Sequence, residues 1–123
     1  MSASTVYAAF WASLDGRDWE GFRACLAADV VALWPQSRER VTGADALVAF
    51  MAAYPGDWRL EVVALHADGT GAATQVAFTA DGLTVPGLTF FTVDAVGRIA
   101  GFTEFWPEPY DPPVNRAHLV ERY

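Results

Sequence analysis

At 123 residues the chain has the length of one domain, 1–123, with enough mass to bury a single substantial core. Its formal charge is −7, and all 8 basic residues are arginines scattered from Arg17 to Arg122, so it lacks the basic patch that nucleic acid or an anionic membrane surface requires. No apolar run approaches the roughly 18 residues of a membrane span, and MSASTVYAAF lacks the basic-then-apolar order of a secretory signal; a cytoplasmic location is expected.

Hydrophobic residues make up 53% of the chain and aromatics 14%, with 5 Trp and 8 Phe. So many rings are hard to place inside one small core, which points to a lined cavity, a subunit interface, or both. Cys25 is the sole cysteine, so no intrachain disulfide is possible; its apolar helical surroundings suit a buried inert thiol.

Thr5 to Leu14 has helical spacing, with Ser4 or Thr5 as N-cap, Val6, Phe10 and Leu14 on one stripe, and Tyr7 and Trp11 beside it. Such a face serves core packing or floors a pocket. After the turn Asp15-Gly16-Arg17-Asp18, Asp18 caps a second short helix through Trp19, Phe22 and Leu26 that ends at Ala27-Ala28-Asp29. Val30 to Trp34 is β-branched and aromatic, hence a strand closed by Pro35. PQSRERVTG is polar and turn-like, and Gly43-Ala44-Asp45 opens a third helix up to Tyr54-Pro55-Gly56.

From Trp58 the pattern switches to period two: Trp58 to Ala67, Gly71 to Ala80, Thr84 to Val93 and Arg98 to Trp106, with Asp68-Gly69 and Asp81-Gly82 as hairpin turns. Helices followed by an antiparallel meander give an α+β fold rather than a parallel α/β sheet. Both faces of the last strands are apolar, so one meets the helices and the other needs separate cover; a second copy of the sheet is the simplest, and a homodimer is expected. The proline-rich tail, 107–123, is expected to run over the surface, with a short amphipathic helical turn over Asn115 to Tyr123.

The stretch LTFFTVDAVGRIAGFTEFWPEPY organises the chain as a long hairpin around Asp94 to Gly97. Alternation in its second arm sets Glu104 on the same face as Phe102 and Trp106. A carboxyl among aromatic rings is desolvated, its pKa rises, and it becomes usable as a general acid or base unless a cation holds it ionised. Gln36, beside Trp34-Pro35, carries an amide suited to fixing a glutamate or a ligand oxygen. Arg38 and Arg40 read as a solvated loop, and His66 and His118 have no partner pattern. There is no HExxH, cysteine-histidine cluster, dinucleotide fingerprint, phosphate loop or G-x-S-x-G elbow, so no metal and no cofactor is expected.

FWASLDGRDWEGFRACLAADVV, VTGADALVAF and GRIAGFTEFW together resemble the nuclear transport factor 2-like superfamily, in particular its SnoaL-like, polyketide cyclase-like branch. The resemblance implies a curved antiparallel sheet wrapped around N-terminal helices, a cone or cystatin-like α+β barrel that takes a small apolar or polycyclic ligand, with homodimers through the outer sheet face. Similar enzymes carry an acid on the closing strand in a pattern like W-R-D-Y-F, which falls on Glu104. The epoxide-hydrolase tyrosine and asparagine fall on Trp34 and Gln36, and its arginine and aspartate on Val76 and Phe78, which departs from that mechanism. Steroid isomerases pair a tyrosine with two acids; Tyr7 is available, but a second inward acid is not. The expected pocket is therefore Glu104 with Tyr7, Trp11, Trp34, Gln36, Phe90, Phe102 and Trp106. Two functions are expected of it: cofactor-free isomerisation, cyclisation or hydrolysis through Glu104, or non-catalytic ligand binding or dimeric interaction on the same fold.

Overall fold

The computed structural model describes residues 5–123, so the Ser4 alternative for the first N-cap lies outside the described residues. Helix α1 (Thr5–Asp15) turns its i, i+3, i+4, i+7 positions, Tyr7, Phe10, Trp11 and Leu14, fully into the protein. Helix α2 (Trp19–Ala24) starts as expected, with the Asp18 carboxylate accepting from the Gly21 N–H. It ends sooner than expected, and Leu26 belongs instead to strand β1 (Leu26–Trp34). The stretch read as a loop contributes a strand, β2 (Glu39–Thr42), paired antiparallel to β1. Only Val41 of its four residues is partly buried against the core, and with Glu39, Arg40 and Thr42 exposed there is no apolar alternation to read.

Helix α3 (Ala44–Ala52) is followed by β3 (Arg59–Ala67), β4 (Gly71–Ala80), β5 (Leu83–Val93) and β6 (Ile99–Phe105). They form one six-stranded sheet in the order β2-β1-β6-β5-β4-β3. The meander is antiparallel as expected, but β1 lies parallel to β6, so the sheet is mixed. It is also open: β2 and β3 are its two edges, and it wraps α1 as a cone without closing into a barrel. Register shifts within β1–β6, β3–β4 and β5–β6 mark the bulges that bend it. The tail turn forms as a 3-10 helix over Val114–Leu119 with no buried residue.

The core lies between α1 and the concave face. Phe10, fully buried, meets Trp11, Phe91 and Phe102 edge-on at centroid distances of 4.9, 5.0 and 5.5 Å. Phe10→Ala removes the centre of that cluster, and urea unfolding is expected to read a loss of about 3–5 kcal/mol.

Asp15 ties the end of α1 to the start of β3. Its carboxylate takes two bonds from Arg59 at 2.9 Å and the Leu60 N–H at 2.8 Å. The Arg59 hydrogen bonds first, then the Leu60 N–H and the charges of Arg59 and Arg17, outweigh burial and hold its pKa at about 2 against an ordinary 3.8. A carboxylate with a depressed folded pKa stabilises the fold above its unfolded value, and that contribution disappears as pH falls from about 4 towards 2. Because the Arg59 side chain is 70% exposed, solvent screening reduces the expected contribution to about 1 kcal/mol. Asp15→Asn should therefore be less stable than the parent at pH 7 by that amount, with the difference vanishing near pH 2 in acid titrations followed by circular dichroism.

Candidate functional site

Alternation along β6 sends Phe102 and Glu104 to the concave side, and the chain beyond the strand brings Trp106 to the same side. Glu104 is only 4% exposed. Its Oε1 accepts two indole N–H groups, from Trp34 at 3.0 Å and Trp106 at 3.1 Å, while Thr89 donates its hydroxyl to Oε2 at 2.6 Å. No cation pairs with it among the described residues. Burial pushes the Glu104 pKa up, and the bonds from Thr89, Trp34 and Trp106 pull it back only in part.

The two oxygens are not equivalent. Oε1 faces donors that cannot accept, so it behaves as the carbonyl-like oxygen in either protonation state. Oε2 faces a hydroxyl, which donates to a carboxylate and accepts from a carboxylic acid. Glu104 can thus gain or lose a proton at Oε2 while keeping all three hydrogen bonds.

Glu104 lies on the wall of a cavity of about 350 Å³. Trp11 and Leu14 from α1, with Trp34 and Trp106, form its deep side, and Phe50 and Tyr54 come from the region of α3. Trp58, Leu60 and Phe78 cover the β3–β4 side, and Ser37, Glu39 and Val85 lie at the exposed rim. Trp34 stacks near Phe50 at 4.6 Å, and Phe78 meets Trp106 edge-on at 5.5 Å. Trp11 Nε1 is tied to Thr74 Oγ1 at 3.2 Å, which fixes that ring.

Of the residues expected from sequence, Glu104, Trp11, Trp34 and Trp106 meet at the cavity. Phe102 and Tyr7 face inward but pack into the core beside it, in contact with Phe91 at 5.7 and 5.2 Å. The Tyr7 hydroxyl is buried without a hydrogen-bond partner. Gln36 is exposed and does not reach Glu104; its Oε1 accepts the Trp106 backbone N–H at 2.6 Å and so pins the residue that does. Phe90 is on the other side of the sheet, 51% exposed and packed against Phe105. Its expected place is taken by Thr89 and Phe91, for which a bulge is responsible. Val93 pairs with Ile99, and continuing that register would set Phe90 opposite Phe102, yet Phe91 occupies that position because Ala100 is an extra residue on β6. Trp58, whose place at the start of the third strand suits the rim of the cone mouth, is a cavity wall, whereas sequence reasoning missed Phe78 and Phe50 in that role. Val76 and Phe78, where an epoxide hydrolase would have its arginine and aspartate, are a core residue and an aromatic wall. His66 and His118 are exposed, and no group of three or more potential metal ligands occurs among the described residues.

Comparison with known proteins agrees with this architecture. The SnoaL-like domain family matches residues 7–102. A candidate ketosteroid isomerase from Kribbella flavida is 42% identical and superposes with a TM-score of 0.93 over 98% of this chain and 89% of that one. An LEH-like epoxide hydrolase from Mycobacterium tuberculosis (22% identity, TM-score 0.70, 85% and 82% covered) shares the fold. So does a candidate SnoaL-like polyketide cyclase from Shewanella denitrificans (12% identity, TM-score 0.72, 85% and 90% covered). No curated protein sequence matches the chain. No helix among the described residues is long and apolar enough to cross a membrane. With the family match covering most of the chain and one relative alike from end to end, the protein belongs to the SnoaL-like domain family of the nuclear transport factor 2-like fold.

Proposed function

We propose that this single-domain chain binds a small, largely apolar molecule in the cone and moves a proton on it through Glu104, without metal or cofactor, as an isomerase or cyclase. The observation that carries the reading is the carboxyl itself: buried, unpaired with any cation, raised in pKa, and exposed on one side to a cavity large enough for a small ring system. Protonation asks only that the Thr89 hydroxyl turn from donor to acceptor, which suits a group that must take and return a proton in one turnover. The aromatic walls would hold a hydrophobic ligand body, and the fixed indoles of Trp34 and Trp106 keep Glu104 aimed. The Kribbella relative, a candidate ketosteroid isomerase, is consistent with proton abstraction next to a carbonyl. Hydrolysis in the epoxide-hydrolase manner is disfavoured, since Val76 and Phe78 supply neither the arginine nor the aspartate it needs.

Incubating the protein in D₂O with a panel of cyclic ketones tests this by NMR. Deuterium should enter the carbon next to the carbonyl faster than in buffer, and the acceleration should be absent in Glu104→Gln. If no member of a broad panel exchanges, and a ligand retained through purification is released unchanged, the non-catalytic carrier reading takes its place.

We also propose that the protein is a homodimer joined through the outer sheet face. That face carries Phe90 packed on Phe105 in the open, with Leu88 beside it on the same side of β5. Sedimentation equilibrium at micromolar protein should return twice 13.3 kDa, and Phe90→Glu should shift it towards the monomer.

A further inference from the structure

The cavity wall is unusual in its charge. Seven of its fourteen residues are aromatic, two are glutamates, Glu39 at the rim and Glu104 inside, and none is Arg, Lys or His. A ligand that presents a carboxylate, phosphate or other anion would meet ring faces of negative potential and two acids. A neutral hydrocarbon would fill the space but leave the acids unanswered.

The geometry points to an organic cation, a quaternary or tertiary ammonium group on an apolar body, as the ligand of this cavity. The inference rests on the reading that the cone binds a small molecule and adds the charge of what it binds. Ring faces attract ammonium groups, most strongly when water is excluded. Trp58 already shows the interaction within the protein, since the Arg17 guanidinium lies 3.4 Å from its ring centroid. With Trp58 so engaged, Trp11, Trp34, Phe50, Tyr54, Phe78 and Trp106 remain to line the space around the ammonium, and Glu104 supplies the negative charge. Three neutral donors satisfy part of the carboxylate, and none of them neutralises it.

The arrival of the cation should change the protonation of Glu104. In the unliganded cavity, burial shifts Glu104 towards the carboxylic acid; an ammonium group beside it favours the carboxylate, so wherever Glu104 holds its proton, binding breaks the O–H bond at Oε2 and releases that proton to solvent, while Thr89 turns from acceptor to donor. The other titratable groups on the wall are Glu39 from β2 and Tyr54 after α3; the facing residues of α1, β3, β4 and β5 carry none. Affinity should therefore rise with pH, and a neutral ligand should show no such dependence.

Choline and 3,3-dimethylbutan-1-ol, its shape with carbon in place of nitrogen, separate charge from fit. Titrations followed on the indole Nε1–H signals of Trp34 and Trp106 should give at least tenfold tighter binding of choline at pH 8. Calorimetry in two buffers of different ionisation enthalpy, at a pH where Glu104 is still protonated, should show proton release with choline alone. Glu104→Gln should remove the preference while retaining the alcohol. Equal binding of the two probes, or a preference that persists in Glu104→Gln, overturns the cationic assignment and leaves the ligand site standing. Perturbation of neither indole by either probe overturns the cationic assignment, and failure of the cyclic ketones to perturb them as well removes the ligand site with it.

Discussion

Glu104→Gln is expected to lower turnover by about 10²- to 10⁴-fold, the usual contribution of a general acid or base, while the protein stays folded and its cavity keeps its shape. The reason is the inequivalence of the two carboxyl oxygens. A glutamine amide oxygen at the Oε1 position accepts from Trp34 and Trp106 as before, and its NH₂ at the Oε2 position donates to Thr89, whose hydroxyl accepts as well as donates. Every buried hydrogen bond survives; only the ionisable proton is lost.

The same substitution should change the pH dependence of stability in a definite direction. Burial raises the folded pKa of Glu104 above its ordinary 4.5, so below that value folded and unfolded states both hold the proton and nothing is lost. As pH rises from about 4.5 through the folded pKa, the unfolded chain ionises first and stability falls, reaching a plateau above the folded pKa. Glutamine has no such penalty. Urea midpoints of the two proteins should coincide near pH 4 and diverge upward, with Glu104→Gln the more stable at pH 8. A variant that is less stable than the parent at pH 8 would mean that Glu104 is held ionised, and the general-acid reading would fail with it. Glu104→Leu is the complementary case: it strands two indole N–H groups and should be destabilised at every pH, because each buried donor left unpaired costs about 1–3 kcal/mol.

Much of this was legible beforehand because period-two alternation is robust inside a strand. Phe102 and Glu104, both inside β6, had to share a side, and Trp106, one residue past the strand, keeps to that side as well. The face of α1 was equally readable, since four large apolar residues at helical spacing have only one way to be buried together. What alternation cannot show is how one strand is set against the next. The extra residue Ala100 shifts the pairing of β5 with β6 by one, which turns Phe90 outward and brings Thr89 opposite Glu104. Nothing in GRIAGF announces that bulge. Strand β2 was missed for a different reason: it is held by its pairing with β1, and one half-buried residue in four, Val41, leaves no apolar signature. The parallel placement of β1 beside β6 is a property of the topology, in which the last strand inserts between the first and the hairpins, and no local pattern encodes it.

Gly87→Ala, one methyl group added to β5, should damage the cavity more than its size suggests. Gly87 is buried on the concave side opposite Val76, and the Trp106 indole lies across it. A Cβ built there would stand 2.5, 2.7 and 2.9 Å from three carbons of that ring, closer than nonbonded carbons approach, so the indole must move. Its freedom is limited, since the Trp106 backbone N–H is held by Gln36 Oε1 and the ring meets Phe78 edge-on. Motion of the ring therefore breaks the 3.1 Å bond to Glu104 Oε1 and leaves Trp34 as the only indole on that oxygen. Overpacking of this kind costs about 1–3 kcal/mol, and ligand affinity and turnover are each expected to fall at least tenfold. Gly82→Ala is the control. Gly82 has φ +77 in the β4–β5 hairpin turn with nothing within 4 Å of an added Cβ, so alanine there strains the backbone by about 1–2 kcal/mol without touching the cavity. If both variants lose similar stability but only Gly87→Ala shifts the Trp106 Nε1–H resonance and weakens binding, the glycine is there to seat the indole. Unchanged binding in Gly87→Ala would show that Trp106 does not orient Glu104, and the acid would be aimed by Trp34 and Thr89 alone.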